Sequence, residues 1–276
     1  MRTSINRAIA TLTIALMASQ VHAQSIIAHR GASYDAPENT LAAFKLAFEQ
    51  NADGIEGDFY LTKDGKIVCF HDKTTKRTAG GVDLDVASST LAELRKLDVG
   101  SWKNPKYAGE KPPTLEEILA ILPPGKFFCI EIKCGPEILP VLKETIARSK
   151  VAPEQLRIIA FDANVIAQAK KVLSTIKAHW ISDYKQNKQT GEWRPNHETI
   201  LKTLKQTGAD GFNSNANLAF FTPQFVKQLK EMGLETQAWT VDKPEIAKQL
   251  KEMGVFAITT NRPAFVRERL GPLERD

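Results

Sequence analysis

The chain has 276 residues and a formal charge of +5, enough length for one large domain or two small ones. Its 42% apolar and 25% charged residues are ordinary for a globular protein that buries a core, and the mild, scattered positive charge sets nucleic acid aside as a partner. Cysteine is sparse, and the odd count of three (Cys69, Cys129 and Cys134) excludes a fully paired intramolecular framework.

Met1 to Ala23 reads as a targeting segment. Arg2 and Arg7 precede an apolar run from Ala8 to Met17, and Val21-His22-Ala23 supplies small side chains at the expected cleavage position. The run is too short to span a bilayer stably, and nothing later is long or apolar enough to do so, so a cleaved export signal is expected and no stable membrane insertion. Without Arg2 and Arg7 the net charge is +3. The protein is expected to be periplasmic or secreted, with the mature chain starting near Gln24.

From Ser25 the chain alternates short apolar runs with amphipathic segments. Ser25 to Ala28 predicts a strand that ends at His29-Arg30-Gly31. Pro37-Glu38-Asn39-Thr40 opens a helix over Leu41 to Gln50, with Asn39 or Thr40 as its cap. Gly54 to Asp58 is the next strand, and Leu61 to Phe70 reads as a hairpin turning at Lys63-Asp64-Gly65. Residues 72–111 break the rhythm. They contain Thr74-Thr75-Lys76-Arg77, the Gly80-Gly81 pair and a predicted short helix from Thr90 to Leu97. A helix from Thr114 to Ile121 and a strand from Phe127 to Ile132 restore the alternation.

Further strands are expected to open at Leu156, Ile176, Asp210, Thr236 and Phe256, each followed by a helical pattern. Gly208, Gly233 and Gly254 stand at the expected helix C-termini. Eight strand–helix units in a chain of this length predict a (β/α)8 barrel, with residues 24–276 as one domain and an inserted region at about 72–111 after the second strand unit. An open doubly wound sheet is the alternative, but neither standard glycine-rich phosphate loop is present.

The candidate chemistry gathers at predicted strand ends, the face where barrel enzymes place their sites. Glu56 and Asp58 stand two apart on a strand and so point to one side. With Glu131 they form an all-carboxylate set suited to one hard divalent cation, Ca2+ or Mg2+. His29 and His71 each follow an apolar run and stand near these acids, as a proton-transfer pair would. Zinc would need further histidine or cysteine ligands at suitable spacing, which the chain lacks. Arg30 and Lys133 could clamp an anion or simply neutralise the carboxylates. Trp239, near another strand end, is a core residue, a pocket wall or a stacking surface for substrate. His179 and His197 show no partner in the sequence. Two bases, an oxygen-rich cage and two fixed cations together are what metal-assisted hydrolysis of a phosphate ester needs.

The ordered motifs Ile26 to Ala32, Pro37-Glu38-Asn39-Thr40, Glu56-x-Asp58, Leu61 to Gly65, His71-Asp72, Glu131-Ile132-Lys133 and Trp239-Thr240-Val241 resemble the glycerophosphodiester phosphodiesterase family across nearly the whole mature chain. The resemblance implies a barrel with an insertion after the second strand unit, acid–base roles for His29 and His71, a metal site at Glu56, Asp58 and Glu131, and phosphate contacts from Arg30 and Lys133. It also implies a small-molecule substrate: a glycerophosphodiester cleaved to sn-glycerol 3-phosphate and an alcohol. Gly57 departs from the apolar residue usual between the paired acids, and Ala160-Phe161 stands for a common Ser-Phe pair. Two other readings remain: a phospholipase D-like enzyme acting on lysophospholipid or sphingolipid, and a phosphodiester-binding protein without turnover.

Overall fold

Strands that are almost continuously apolar belong in a parallel sheet buried on both faces, and that is where this chain places them. The computed structural model describes residues 24–271; the expected export signal, residues 1–23, lies outside them. In chain order, β1 (Ser25–His29), α1 (Leu41–Glu49), β2 (Gly54–Leu61) and β3 (Ile67–Cys69) come first. Next are α2 (Leu91–Leu94), α3 (Leu115–Ile121), β4 (Phe127–Ile132), α4 (Leu139–Arg148), β5 (Leu156–Ala160), α5 (Ala163–Val172) and β6 (Lys177–Ser182). A small hairpin of β7 (Lys185–Gln186) and β8 (Trp193–Arg194) precedes α6 (His197–Thr207), β9 (Gly211–Asn215) and α7 (Pro223–Glu231). The chain closes with β10 (Glu235–Trp239), α8 (Pro244–Glu252), β11 (Ala257–Thr260) and α9 (Pro263–Leu270).

β1 pairs in parallel with both β2 and β11, which closes β1, β2, β4, β5, β6, β9, β10 and β11 into an eight-stranded parallel barrel. Four strands begin at the predicted residue and the other four within one residue of it. β3 returns antiparallel on β2 through Gly65, whose φ is 71°. Thr40 caps α1, accepting from the Ala43 amide. Gly208, Gly233 and Gly254 all take positive φ just beyond α6, α7 and α8. The expected helix at Thr90 to Leu97 is shorter: Thr90 caps α2 through a capping box with Glu93, and the helix ends at Leu94. The β7–β8 hairpin has two-residue strands without an apolar run, so no sequence pattern announces it. Among the described residues no helix is long and apolar enough to cross a membrane.

Three layers of burial follow. The main core lies between barrel and helices, with Phe44, Phe59, Phe128 and Phe212 fully buried in it. Ile27, Cys129, Ile159, Ile181 and Ala257 fill the barrel interior. A separate cluster of Tyr60, Val68, Phe70, Ala79, Val86, Leu94, Leu97 and Val99 holds the region after β3 against the hairpin. Beneath the interior layer Glu235 accepts from Arg157 at 2.9 Å, stands 3.2 Å from Nε2 of the fully buried His179, and pairs with Lys177. All three cysteines are free.

Gly57 has a local explanation. A Cβ there would lie 3.1 Å from Phe44 Cζ and 3.4 Å from Cys69 Sγ, so the position faces α1 and not the barrel interior. The Phe44 ring, packed at 6.4 Å from Phe128, fills the volume that a side chain at position 57 would take. Gly57→Val should therefore destabilise the protein by about 1–3 kcal/mol through overpacking. Phe44→Leu should shrink that penalty, and non-additive unfolding free energies from urea titrations of both singles and the double would show it. Additive values would break the link between the two positions.

Candidate active site

The pleat sets the site. Residues two apart on a strand share a face, and at the C-terminal strand ends these positions line one cavity of about 130 Å³. Its walls include His29, Arg30, Glu56, His71, Glu131, Lys133, Phe161, Asn213, Trp239 and Thr259. A larger recess of about 730 Å³ beside the β7–β8 hairpin contains none of them. Every candidate residue from the sequence therefore meets at one place, with Asp58 beneath the cavity wall and bonded to its members.

Glu56, Asp58 and Glu131 are 2%, 1% and 9% exposed, and one oxygen from each lies within 4.8 Å of the others. Asp58 receives Asn39 Nδ2 at 2.9 Å, and Arg30 Nε and Lys133 Nζ stand 3.4 and 3.3 Å from it. Lys133 also bonds Glu131 at 2.6 Å, and the Arg30 amide donates to Glu56 Oε2 at 3.0 Å. Burial works against the charge on Lys133, yet Asp58 and Glu131 hold it protonated. Arg30 and Asn39 both adopt φ 57°, uncommon for residues other than glycine. The Asn39 amide donates to the Arg30 carbonyl at 3.0 Å and locks the two together. Gly31 follows at φ 80°, where an added Cβ would sit 2.6 Å from Ala43.

Two cations face three buried carboxylates, and Glu56 Oε1 is buried without a partner. Burial first, then Asp58 and Glu131, push the Glu56 carboxyl well above its usual range. Burial and then Asp58 raise Glu131 to about 7, against the pull of Lys133. An unfilled oxygen in an acid set short of positive charge fits a hard divalent cation.

Both histidines have a fixed tautomer. Asn261 donates through Nδ2 to Asp242 at 2.7 Å, so its Oδ1 accepts from His29 Nδ1 at 2.7 Å and leaves Nε2 unprotonated. Asp72 Oδ1 accepts from His71 Nδ1 at 2.6 Å, which leaves Nε2 as the nitrogen free for chemistry. Burial, and then Arg30, lower the His29 pKa to about 4, so the ring is neutral near neutral pH. Among the described residues the other two histidines lie outside the cavity: His179 is in the barrel floor, and His197 bonds the Phe220 carbonyl while stacking on Phe225. Trp239 lines the cavity with its ring edge-on to Phe161 at 5.7 Å.

Several contributing residues are not singled out by sequence. Asn39, read as an alternative cap, turns instead to Asp58; Asn261 and Asp242 lie in loops after β11 and β10. Asn213 is 2% exposed with an unpartnered Oδ1 in the cavity wall. For Asn213 and Asn261 a signal exists: each continues the inward two-residue pleat of its strand.

The profile of the Glycerophosphoryl diester phosphodiesterase family matches residues 29–265. The chain is 35% identical over 242 residues to the glycerophosphodiester phosphodiesterase of Caldanaerobacter subterraneus, covering 86% of this chain and 94% of that one. It is 30% identical over 245 residues to a Bacillus subtilis glycerophosphodiester phosphodiesterase, covering 86% and 83%. Among solved structures, an Oleispira antarctica phosphodiesterase in complex with the product sn-glycerol-3-phosphate aligns with a TM-score of 0.79 at 28% identity, covering 90% of this chain and 97% of that one.

The raised acids make a pH prediction. A carboxyl whose folded pKa is raised stabilises the metal-free fold below its unfolded value of 4.5, and that contribution is lost as pH rises through about 7. In chelator, the melting temperature should therefore fall from about pH 5 to about pH 8, less steeply in Glu131→Gln than in the parent. Added Ca2+ or Mg2+ should raise it more at the alkaline end, where no proton competes. Parallel melting curves for both proteins would refute the assignment.

Proposed function

The chain belongs to the glycerophosphoryl diester phosphodiesterase family and is a hydrolase of glycerophosphodiesters, and we propose that it works as an exported, single-domain, divalent-cation-dependent enzyme using His29 and His71 for proton transfer. The product is sn-glycerol 3-phosphate, the molecule held by the Oleispira antarctica relative, together with a free alcohol. The observation that carries the reading is the meeting of two histidines, each held through Nδ1, with the buried Glu56–Asp58–Glu131 cluster at one cavity.

Glu56, Asp58 and Glu131 would hold one Ca2+ or Mg2+. Such a cation, when bound, offsets charge on the phosphoryl oxygens as the transition state forms. Arg30 and Lys133 orient the phosphate: the guanidinium fork matches two oxygens, and the ammonium acts as a point charge. Lys133 is already tied to two carboxylates, so it serves both the cage and the substrate. His29, neutral at working pH, accepts the proton of the attacking hydroxyl at Nε2, and His71, entering the step protonated at Nε2 as well as Nδ1, gives its Nε2 proton to the leaving alcohol oxygen. Asn261 and Asp72 keep each ring's Nδ1 proton in place while Nε2 does the chemistry. Trp239 and Phe161 form the apolar rim against which the glycerol moiety packs.

Turnover of glycerophosphocholine and glycerophosphoethanolamine, followed by glycerol 3-phosphate release, should be abolished by chelator and restored by Ca2+ or Mg2+. His29→Ala and His71→Ala should each lower kcat by about 10²- to 10⁴-fold. Chelator-insensitive turnover would defeat the cation role. A lipid-directed activity would draw on Tyr34 and Trp102, both exposed and each with its ring centroid 6.0 Å from Lys103 Nζ. Faster turnover of lysophospholipid or sphingomyelin vesicles than of soluble diesters would favour it.

Export rests on the basic and apolar pattern before Gln24. N-terminal sequencing of the protein recovered from outside the cytoplasm should begin at or near Gln24; an intact Met1 would refute cleavage.

A further inference from the structure

Arg77 lies in the Thr74-Thr75-Lys76-Arg77 stretch after β3, and the phosphodiesterase chemistry above assigns it nothing. Its Nε donates to Asp72 Oδ2 at 2.6 Å, while Asp72 Oδ1 holds His71. Its two terminal nitrogens donate to both oxygens of Glu38, at 2.8 and 2.7 Å. Glu38 Oε1 in turn receives Arg30 Nη1 at 3.0 Å, and Arg30 Nε reaches Asp58 at 3.4 Å. One guanidinium thus joins the His71 side of the cavity to the carboxylate side through two intervening acids.

The chemistry of each link is set. The Arg77 bond, ahead of the opposing effect of burial, holds the Asp72 carboxyl down to about 2. Asp72 therefore stays ionised and accepts the His71 Nδ1 proton as a bond without taking it away. Glu38 is partly buried, which works against its charge, but Arg77 and Arg30 together keep it below its ordinary range. The planar fork supplies three donors to two carboxylates in fixed directions, which an ammonium cannot do. The platform beneath is anchored: the Thr75 amide donates to the Leu84 carbonyl at 3.0 Å, the Ala79 amide to the Thr75 carbonyl at 2.9 Å, and Ala79 and Val86 are buried in the cluster that joins the insertion to the β2–β3 hairpin.

We propose that Arg77, through Asp72 and Glu38, is a positioning residue for catalysis, fixing His71 relative to Arg30 and the acid cluster. It touches no reacting group, and the inserted segment that carries it becomes a working part of the site. The inference rests on the catalytic reading of His71 given above.

The test is a double-mutant cycle on glycerophosphocholine turnover with Arg77→Gln, Arg77→Lys, His71→Ala and Arg77→Gln/His71→Ala. Arg77→Gln should lower kcat by about 10- to 100-fold, part of what a full proton-transfer group supplies. The cation-titration midpoint should stay near the parent's, since the three carboxylates are unaltered, and any rise in KM through Glu38 and Arg30 should be smaller than the loss in kcat. Arg77→Lys should recover little. In the His71→Ala background Arg77→Gln should change nothing further, because its effect passes through that ring. Asp72→Asn should repeat both results and serves if Arg77→Gln folds poorly. Additive losses in the double variant, full activity in Arg77→Lys, or a loss confined to melting temperature would each overturn the positioning role. Near-parent turnover in His71→Ala would instead overturn the catalytic reading beneath it.

Discussion

Mutual repulsion among three buried carboxylates is the constraint around which the rest of the site is organised. Their oxygens crowd within 4.8 Å in a region that water barely reaches. Left alone, such a group protonates or disrupts the fold. The chain answers with fixed donors: Asn39 and Arg30 on Asp58, the Arg30 amide on Glu56, and Lys133 on both Asp58 and Glu131. Two of these donors come from residues in left-handed backbone, a conformation that persists only when the surroundings hold it. Backbone geometry at the end of β1 is therefore subordinate to electrostatics at the end of β2. Even so, the donors fall short of full neutralisation, a deficit that a divalent cation would make up.

The barrel contributes by layering one kind of side chain above another. Along each strand the inward residues alternate with those facing the helices, so several site residues stand two positions beyond a packing residue. Ile27 is followed by His29, Cys129 by Glu131, and Ile159 by Phe161. The apolar layer below gives the charged layer a dry, rigid base. The loops then aim it: Asn261 and Asp72 are what convert two strand-end imidazoles into rings with a defined tautomer.

Much of this architecture is legible in the amino-acid sequence. Apolar runs locate the starts of all eight barrel strands within a residue, because parallel strands buried on both faces leave little freedom in their composition, while some ends differ by two or three. The two-residue spacing of Glu56 and Asp58, and of Glu131 and Lys133, implies shared direction directly. Gly57 stands out as unusual in sequence but has no explanation there, since its reason is the ring of Phe44 on a helix packed outside the barrel. Asn39 reads as a cap because capping is local; its bond to Asp58 needs the loop to fold back over β2. Asn261 lies 232 residues from His29 in the chain, and no local pattern links them. The β7–β8 hairpin is invisible for the opposite reason: strands of two residues carry no periodicity at all.

The Arg157–Glu235–His179 group at the far end of the barrel has a consequence of its own. Charged side chains bound to one another there, with the Arg157 guanidinium over the Phe127 and Phe256 rings, stop the cylinder like a cork. That end offers a substrate no way in, so the cavity is approached from the C-terminal rim, where Phe161 and Trp239 stand.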